Sequence, residues 1–486
     1  MNYFEVFRAA APEAVLTITV LMVLAVDLIA LRGQTVEQRF RAGMLVSIIG
    51  CLMAAIFTFV QYGHTDPLHG LLVVDPQTNF LKVVLLALTV FTVLISASGK
   101  FTEHVGEYLA LVLLATIGLM FLISAEDLLM IFISLELASL SLYILTAFNK
   151  RNARSSEAAL KYFLFGGMSA AFLLFGFSLL YGLSGSTNLS EIARGLAGKG
   201  LDPLLLVAIV TTVIGFGFKV AAVPFHLWAP DAYEGAPTPS AAFIASGSKV
   251  ASFYILAKIM TVGFAGAEGS AVWHGYVSGW TPVIAVVAAL SMVLGNLTAI
   301  VQSSVKRLLA YSAIAHAGYM LLGVLANTPS SRSALLFYVI TYALTVLGAF
   351  GVVTVVEAVT GGDAMANFAG LGRRAPGLSL CLLVFLLSLA GIPPLAGFIG
   401  KFFLFSAVAG TDAEHLGLLW LVILAIAMSA VSFYYYLQVL KQAWVLDAAE
   451  NAPAIKVPLA TMVALVLLAV LVILLGCAPG LLLQFL

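Results

Sequence analysis

Stretches of about twenty apolar residues recur along the whole chain, and their length is the feature that most limits how it can fold. Polar residues, glycines or prolines separate them, and they lie at 12–31, 42–60, 80–98, 108–124, 127–147, 158–182, 203–235, 239–264, 281–301, 307–326, 333–359, 378–409, 417–440 and 458–476. A helix of about 20 apolar residues crosses the hydrocarbon core of a bilayer. The pattern therefore predicts an all-α polytopic membrane protein with about fourteen transmembrane helices.

Composition agrees with a lipid environment and excludes several kinds of partner. Only 9% of the 486 residues are charged, whereas roughly a quarter are charged in a soluble globular domain. The 23 Lys and Arg balance the 23 Asp and Glu, so no basic surplus points to nucleic acid. Cys51, Cys381 and Cys477 lie far apart in apolar runs, and no phosphate-loop motif is present. We therefore predict no metal or cofactor site in this chain.

The distribution of Lys and Arg over the predicted loops gives the orientation. Odd-numbered loops hold thirteen of them: Arg32, Arg39, Arg41, Lys100, Lys150, Arg151, Arg154, Lys306, Arg307, Arg373, Arg374, Lys441 and Lys456. Even-numbered loops hold only three: Arg194, Lys199 and Arg332. Because positive loops stay on the cytoplasmic side, the count predicts cytoplasmic odd loops, with both termini on the outer side of the membrane.

Two of the apolar segments are too long and too interrupted to be continuous helices. The seventh, 203–235, contains Pro224 and Pro230, and the twelfth, 378–409, contains the run Gly391-Ile392-Pro393-Pro394. Proline removes a backbone donor and clashes with the preceding turn. Backbone groups freed at membrane depth are tolerated only where they face protein or water. We therefore predict broken helices beside an internal hydrophilic path.

The two predicted breaks lie five helices apart, which is typical of transporters built from inverted repeats. This spacing predicts two inverted five-helix repeats. The corresponding divisions are the first three helices (1–107), a first repeat of helices 4–8 (108–264), a second repeat of helices 9–13 (265–440), and the last helix (441–486).

Six charged residues fall inside the predicted membrane segments, where a charge costs at least about 2.5–3.5 kcal/mol. They are Glu136, Lys161, Lys219, Lys249, Lys258 and Lys401. Glu136, Lys219, Lys249 and Lys401 are predicted to lie close to the midplane. Desolvation favours a neutral lysine and a nearby carboxylate favours a charged one, whereas arginine keeps its proton. These four residues are therefore our candidates for a proton relay.

Several of these residues also have a purely structural interpretation. Glu136 and Lys219 are expected to face each other, and such a pair can be structural alone. Lys249 has a similar alternative. Lys161, near the start of its helix, can extend to the cytoplasmic surface, and Lys258 near the outer end of its helix fits an interfacial lysine better than a relay member.

Two histidines lie in predicted helices and are further candidates. His226 follows Pro224 at the first break, where an imidazole can accept and donate a proton near neutral pH. His316 lies in a predicted helix, where hydrogen bonding to a neighbouring helix is the alternative. Asp231 and Glu234 lie near the end of the seventh segment, where helix capping and loop solvation are expected to account for them.

Two motifs resemble a known family. Residues Val223 to Ser240, VPFHLWAPDAYEGAPTPS, are similar to the signature around the seventh and eighth helices of the antiporter-like subunits of complex I and of Mrp-type cation/proton antiporters. Residues Leu389 to Phe402, LAGIPPLAGFIGKF, resemble the twelfth helix of the N-type members, in which lysine occupies the position of Lys401.

The resemblance implies roles for individual residues. By analogy Glu136 corresponds to the fifth-helix glutamate of the family and Lys219 to its seventh-helix partner. Lys249 corresponds to the central eighth-helix lysine, and Lys401 to the lysine toward the outer exit. Redox chemistry elsewhere in the complex is then expected to drive proton transfer along these groups.

The resemblance also implies partners and leaves one alternative open. FMN, iron–sulfur clusters and quinone are expected in partner subunits of a bacterial NADH:quinone oxidoreductase, with M-type and K-type membrane subunits as neighbours. The alternative is a sodium/proton antiporter subunit of the Mrp type. Co-purification with flavin and iron–sulfur partners, or sodium efflux without them, distinguishes the two.

Overall fold

The computed structural model describes residues 7–61, 66–68, 70–99, 101–198, 200–411, 417–448 and 452–486. Most of this part of the chain is helical, and it also contains a two-stranded antiparallel sheet formed by β1 (Asp66–Leu68) and β2 (Leu72–Val74). Lys100 and Lys199, which belong to the predicted charge distribution, lie outside the described residues.

The helices follow one another through short connections. The first half of the chain contains α1 (Ala11–Ala25), α2 (Val36–Val60), α3 (Pro76–Ser96), α4 (Val105–Ser124), α5 (Leu128–Thr146), α6 (Ala153–Ser184), α7 (Leu189–Leu196), α8 (Pro203–Lys219), α9 (Trp228–Gly235), α10 (Thr238–Ala245) and α11 (Gly247–Lys258). The second half contains α12 (Trp280–Ile300), α13 (Val305–Ala326), α14 (Pro329–Thr360), α15 (Leu371–Arg374), α16 (Pro376–Ala390), α17 (Ala396–Ala409), α18 (Leu419–Trp444), α19 (Leu459–Cys477) and α20 (Gly480–Leu483). Single π-helical turns continue α1 and α11, and a 3₁₀ turn precedes α15.

The prediction of an all-α polytopic membrane protein is confirmed. Among the described residues, 12 helices are long and apolar enough to cross a membrane by length and composition. Both predicted broken helices are present. The seventh segment forms α8 and α9 on either side of 220–227, and the twelfth forms α16 and α17 on either side of 391–395.

The eighth predicted segment, 239–264, is not the continuous helix that its apolar length suggests. It is divided at Ser246, whose backbone departs from helical geometry (φ −110°, ψ −79°) and whose hydroxyl donates to the Ala242 carbonyl at 2.7 Å. Such back-bonding bends helices. Lys249 therefore lies in the first turn of a new helix, α11.

The starts of two helices also differ from the prediction. Arg39 and Arg41, assigned to a loop from their charge, lie in the first two turns of α2, and Lys306 and Arg307 lie in the first turn of α13. Capping side chains start both helices earlier than the apolar runs do; the Ser304 hydroxyl, for example, accepts from the Arg307 amide.

Matched features occur in the two halves. α6 and α14 each contain 32 residues. Asp127, immediately before α5, forms an isolated antiparallel bridge with Asn188, and Ser304, immediately before α13, forms one with Ala364. These correspondences fit two repeats, whose number and boundaries remain a prediction.

The centre of the bundle is formed by α10 and α11, α13 and α14, whose apolar windows are almost entirely buried. The outer helices α1, α2, α6, α18 and α19 expose about two thirds of theirs. Charged side chains and polar aromatic side chains on these four helices are therefore mostly out of contact with lipid.

Candidate functional site

The first break leaves a lysine at the end of a half-helix. Lys219 is the last residue of α8, and its side chain is buried. Two bonds close the end of α8: the Trp228 indole donates to the Phe218 carbonyl at 3.0 Å, and the Ala222 amide donates to the Gly217 carbonyl at 2.8 Å. The break therefore has a defined backbone path.

The Lys219 ammonium points at one face of α5. It donates to the Ser139 hydroxyl and, at 3.5 Å, to the Tyr143 hydroxyl. Glu136 lies one turn before Ser139, so residues at i, i+3 and i+7 share this face. Glu136 and the two hydroxyls that bind Lys219 thus lie on the same face of α5.

The expected direct pairing of Glu136 with Lys219 is a point of correction. Among the described residues Glu136 forms no ion pair, and its buried Oε1 has no hydrogen-bond partner. Ser139 occupies the position nearest the ammonium, although the Glu136 charge still acts on Lys219. The carboxylate therefore lies one turn along α5 from the hydroxyl that binds the lysine, and it is not bonded to the lysine itself.

Lys249 links the first break to the central helix α13. Its buried ammonium donates to the Val220 carbonyl at 3.3 Å and to the Ala313 carbonyl at 2.6 Å. Val220 directly follows Lys219, so the Lys249 ammonium is bonded to the backbone of the break that begins after Lys219. The Lys249 Nζ also lies 5.7 Å from the centre of the Tyr342 ring.

His316 lies between Lys249 and Lys401. Its Nδ1 is 2.6 Å from the Tyr338 hydroxyl and its Nε2 is 3.2 Å from the Tyr436 hydroxyl. Both lysines act electrostatically on the buried ring. Each ring nitrogen therefore has a hydroxyl partner that can accept or donate.

The second break places Lys401 against the end of a half-helix. Its buried ammonium donates to the carbonyls of Leu389 and Ala390 at 3.0 and 3.2 Å, and to the Ser429 hydroxyl at 2.8 Å. The two carbonyls form the C-terminal end of α16, which favours a cation. Tyr319 joins this group to His316: its ring centre is 5.3 Å from Lys401 Nζ and 5.6 Å from the imidazole centre.

A cavity of about 590 Å³ opens beside Lys401. Its lining includes Gly391, Phe398, Lys401, Phe402, Ser429 and Phe433. Phe402 is exposed, so the cavity extends toward the outside of the bundle. At the first break the opening residues are all buried: Val220, Ala221, Ala222 and Val223.

His226 stands apart from this chain of groups. It lies in the connection between α8 and α9, its ring is half-buried, and its buried Nδ1 has no hydrogen-bond partner within the described residues. No described contact joins the ring to Lys219, Lys249 or Lys401. The structure therefore offers no direct route through His226.

Lys161 belongs to a charged cluster near the start of α6. Its Nζ lies 2.8 Å from Glu157 and 2.8 Å from Asp231, while Arg307 pairs with Asp231 at 2.8 Å and with Glu234 at 2.9 Å. Capping and loop solvation were expected to account for Asp231 and Glu234. Both instead form ion pairs, Asp231 with Lys161 and Arg307, and Glu234 with Arg307. Partial exposure of all five side chains places the cluster at the edge of the protein.

Sequence reasoning missed an ion pair between Lys306 and Glu357. Lys306 Nζ lies 3.1 Å from Glu357 and 3.3 Å from the Thr238 hydroxyl, and the Thr238 hydroxyl also donates to Glu357. Both charged residues lie at ends of predicted segments, where a solvated loop was the simpler interpretation. The lysine is nevertheless buried.

The tyrosines around His316 were also missed. Tyr338, Tyr342 and Tyr436 are buried, and the Tyr342 hydroxyl has no described partner. Tyr338 and Tyr342 are separated by four residues, so both lie on one face of α14. That spacing was a usable signal, because a buried hydroxyl usually needs a partner.

Fold and site together define a class: a polytopic membrane protein with two broken helices and a buried row of lysines joined through hydroxyls, carbonyls and a histidine. The family model described as NADH:quinone oxidoreductase/Mrp antiporter matches residues 125–429, and the chain belongs to this family.

The relatives agree with the N-type resemblance. The chain is 54% identical to NADH-quinone oxidoreductase subunit N 2 of Acidobacterium capsulatum, covering 100% of this chain and 99% of the relative. It is 41% identical to subunit N of Desulforamulus reducens, covering 92% of each. The resemblance to N-type subunits is thereby confirmed.

Solved structures give the same fold. A chain of respiratory complex I from Thermus thermophilus superposes with a TM-score of 0.79 at 33% identity, covering 97% of this chain and 98% of that one. A chain of the Mrp complex from Dietzia sp. DQ12-45-1b gives a TM-score of 0.82 at 19% identity, with coverage of 100% and 96%. At that identity the Mrp likeness shows the fold alone.

Proposed function

We propose that this chain is the N-type, proton-translocating membrane-arm subunit of a bacterial NADH:quinone oxidoreductase. Its relay consists of Glu136, Lys219, Lys249, His316 and Lys401. The observation that carries the proposal is a row of buried polar contacts from Ser139 to Ser429 through the centre of the bundle. Along this row Lys219 and Lys249 are linked by the backbone at Val220, and Lys249 and His316 by the backbone of α13. The names of the full-length relatives support the same assignment.

Proton transfer along this row follows from the partners of each lysine. Carbonyl oxygens and hydroxyls hold an ammonium in place without neutralising it, so a nearby charge decides whether the lysine keeps its proton. Movement of Glu136 toward Lys219 favours the charged lysine, and withdrawal favours release toward Lys249. His316, bonded on both ring nitrogens, carries the proton on toward Lys401.

Redox chemistry lies outside the proposed role of this chain. The proposal assigns FMN, the iron–sulfur clusters and quinone to partner subunits, with M-type and K-type membrane subunits as neighbours. The chain contributes to the enzyme as a translocating subunit, and quinone reduction elsewhere in the complex supplies the driving energy.

A sodium/proton antiporter subunit of the Mrp type is the second candidate. The likeness to the Mrp complex favours it only at the level of fold. Purification of the tagged chain from its native membrane distinguishes the two. NADH oxidation with flavin and iron–sulfur partners supports the first function, whereas sodium efflux without these partners supports the second.

Substitution of Lys401 tests the relay. Lys401→Ala in an assembled complex is expected to impair proton translocation, because no other described side chain supplies a cation at the second break. Lys258→Ala is the matched control: Lys258 is also a membrane lysine, but it pairs with Glu126 at 2.7 Å near the outer end of α11. Equal losses in both variants, or loss of assembly in both, would remove the distinction.

The orientation is proposed from the Lys and Arg distribution: a bacterial inner-membrane protein with both termini periplasmic. Single cysteines introduced at Arg151 and Arg374 are expected to react with membrane-impermeant thiol reagents only from the cytoplasmic side. Labelling from the periplasmic side would reverse the topology.

A further inference from the structure

Glu13 and Lys82 form a buried ion pair in the first three helices, outside the relay. Lys82 Nζ on α3 is 2.8 Å from Glu13 Oε1 on α1, and the two side chains are 2% and 1% exposed. Both residues lie outside 125–429, the part matched by the family model. A lysine and a carboxylate buried in a membrane segment are costly to maintain without a function or further bonds.

Several buried polar atoms on α1, α3 and α4 lack hydrogen-bond partners among the described residues. Asn79 lies one turn before Lys82 on the same face of α3, is fully buried, and has no described partner for either its amide nitrogen or its amide oxygen. Within the part of the chain that the structure describes, neither oxygen of the Glu13 carboxylate has a hydrogen-bond partner, although Oε1 lies 2.8 Å from the Lys82 ammonium, and the buried Ser124 hydroxyl has none.

The register of α3 and α4 brings the Ser124 end of α4 to the level of Lys82. Thr89 and Thr116 hydroxyls lie 2.8 Å apart, and Ser96 and Tyr108 hydroxyls lie 2.9 Å apart. Because α3 and α4 are antiparallel, a residue earlier in α3 lies opposite a residue that is correspondingly later in α4. Residue 82 of α3 is therefore at about the same level as residue 123 of α4. The unpartnered atoms of α3 and α4 therefore lie at about the same level of the helix bundle as Lys82.

Water is the ligand that these atoms fit. Buried polar groups in native proteins are almost always hydrogen-bonded, to protein or to ordered water. A buried water needs two to four polar partners. A carboxylate, an amide, an ammonium and a hydroxyl supply them.

A second ion pair in the same helices makes the contrast clear. Arg39 binds Asp27 through two bonds of 2.7 and 2.6 Å, and the Gly106 amide donates to the same carboxylate at 3.0 Å. This pair has no unpartnered carboxylate oxygen, and its cation is an arginine, which does not release a proton in proteins. It therefore serves as a structural bond only.

We propose that Glu13, Asn79 and Lys82 form a hydrated proton-exchange site, separate from the relay, in the outer half of the first three helices. A water molecule held by Asn79 accepts a proton from the Lys82 ammonium and passes a proton to the Glu13 carboxylate. The ion pair becomes a neutral amine and a carboxylic acid, and the reverse transfer restores it. No proton is gained or lost by the site in the internal step, and exchange with the outer solution moves protons through the water.

The inference rests on the proposed function, because it requires a complex that translocates protons. The test uses the complete complex in native membranes and measures complex content, NADH oxidation and protons translocated per NADH. The key variant is the double substitution Glu13→Gln with Lys82→Met, which removes both charges and so leaves no uncompensated ion. Lys82→Arg is the second variant, since it keeps the positive charge but not the releasable proton. Arg39→Lys is the matched control in the same helices.

The proposal expects both Lys82 variants to assemble and oxidise NADH with a loss in protons translocated per NADH, while Arg39→Lys matches the unsubstituted complex. Pumping by the double variant at the unsubstituted ratio would overturn it, as would failure of the double variant to assemble beside an assembled Arg39→Lys complex. Glu136→Gln is measured in parallel. If that substitution leaves pumping unchanged, the proposed relay fails, whatever happens at Lys82.

Discussion

The two helix breaks hold their lysines in different ways. At the first break Lys219 ends the half-helix before the gap and reaches away, to hydroxyls on α5 beside Glu136. At the second break Lys401 lies on the half-helix after the gap and reaches back, to the carbonyls that end α16. One lysine therefore has a carboxylate nearby, and the other has the negative end of a helix.

With the proposed function, this difference gives the two breaks different roles in proton transfer. A carboxylate on a separate helix can approach or withdraw, and so can change the charge state of Lys219. Carbonyls at a helix end are fixed in number and position, so they give Lys401 a constant environment. The first break is suited to loading a proton in response to movement, and the second to passing it toward the cavity beside Lys401.

The largest expected effect tests whether the first break depends on its carboxylate. Glu136→Gln keeps size and removes the charge, and we expect it to slow proton transfer through this subunit by about 10²-fold, the lower end of what a positioned proton-transfer group contributes. Lys219→Ala is expected to do the same. The double substitution should cost no more than the worse single one, because the two residues act as a unit.

The measurement is a double-mutant cycle on NADH-driven proton pumping in membranes with matched complex content. Strictly additive losses would show that Glu136 and Lys219 act independently. The two breaks would then work alike, and the proposed contrast between them would be lost.

A smaller effect is expected from tests of rigidity. A Cβ atom at Gly397 would collide with the Ser388 carbonyl oxygen, which belongs to a fixed helix end. We expect Gly397→Ala to destabilise the protein by about 3 kcal/mol, the upper end for overpacking. At the first break the three atoms nearest to a Cβ at Gly217 all belong to the side-chain ring of Phe225, so Gly217→Ala should cost about 1 kcal/mol. Thermal unfolding of the purified complex compares the two, and equal shifts would contradict a more rigid second break.

The smallest effect comes from single hydroxyls. Ser139→Ala removes the closest partner of Lys219, and we expect about ten-fold slower proton transfer, because a hydrogen bond to a charged group is worth about 1.5–3 kcal/mol. Ser429→Ala leaves Lys401 with two carbonyl acceptors, so its effect should be smaller. Pumping rates of the two variants at equal complex content provide the measurement, and a larger loss from Ser429→Ala would reverse the comparison.

The spans and the breaks could be predicted because their causes are local. Twenty apolar residues are long enough to cross a bilayer wherever they occur, and the Pro393-Pro394 pair interrupts a helix regardless of its neighbours. The division at Ser246 escaped this reasoning, since it depends on backbone geometry that an ordinary apolar run does not reveal.

The lysines could be predicted from the sequence, but most of their partners could not. Depth in an apolar segment identified Lys219, Lys249 and Lys401 without any knowledge of contacts. Their acceptors include backbone carbonyls, such as those of Ala313 and Leu389, and no residue type marks a carbonyl that a lysine will bind.

Ion pairs between distant segments were beyond the same reasoning. Glu13 and Lys82 lie near the starts of their segments, and each alone is compatible with a solvated helix end. Only the packing of α1 near α3 brings them to 2.8 Å. Lys306 and Glu357 were missed for the same reason.

The carbonyls that hold Lys401 have a mechanical consequence. A cation at the end of a helix stabilises that end by roughly 0.3–1 kcal/mol, and by up to about 2 kcal/mol when partly buried. When the ammonium loses its proton, the C-terminal end of α16 loses this stabilisation, so the connection between α16 and α17 becomes less rigid. It becomes more rigid again when the proton returns. Charge and stiffness thus change together at this connection. Helix α18, which supplies Ser429 to the same ammonium, can respond to a proton as a change in shape, without receiving the proton itself.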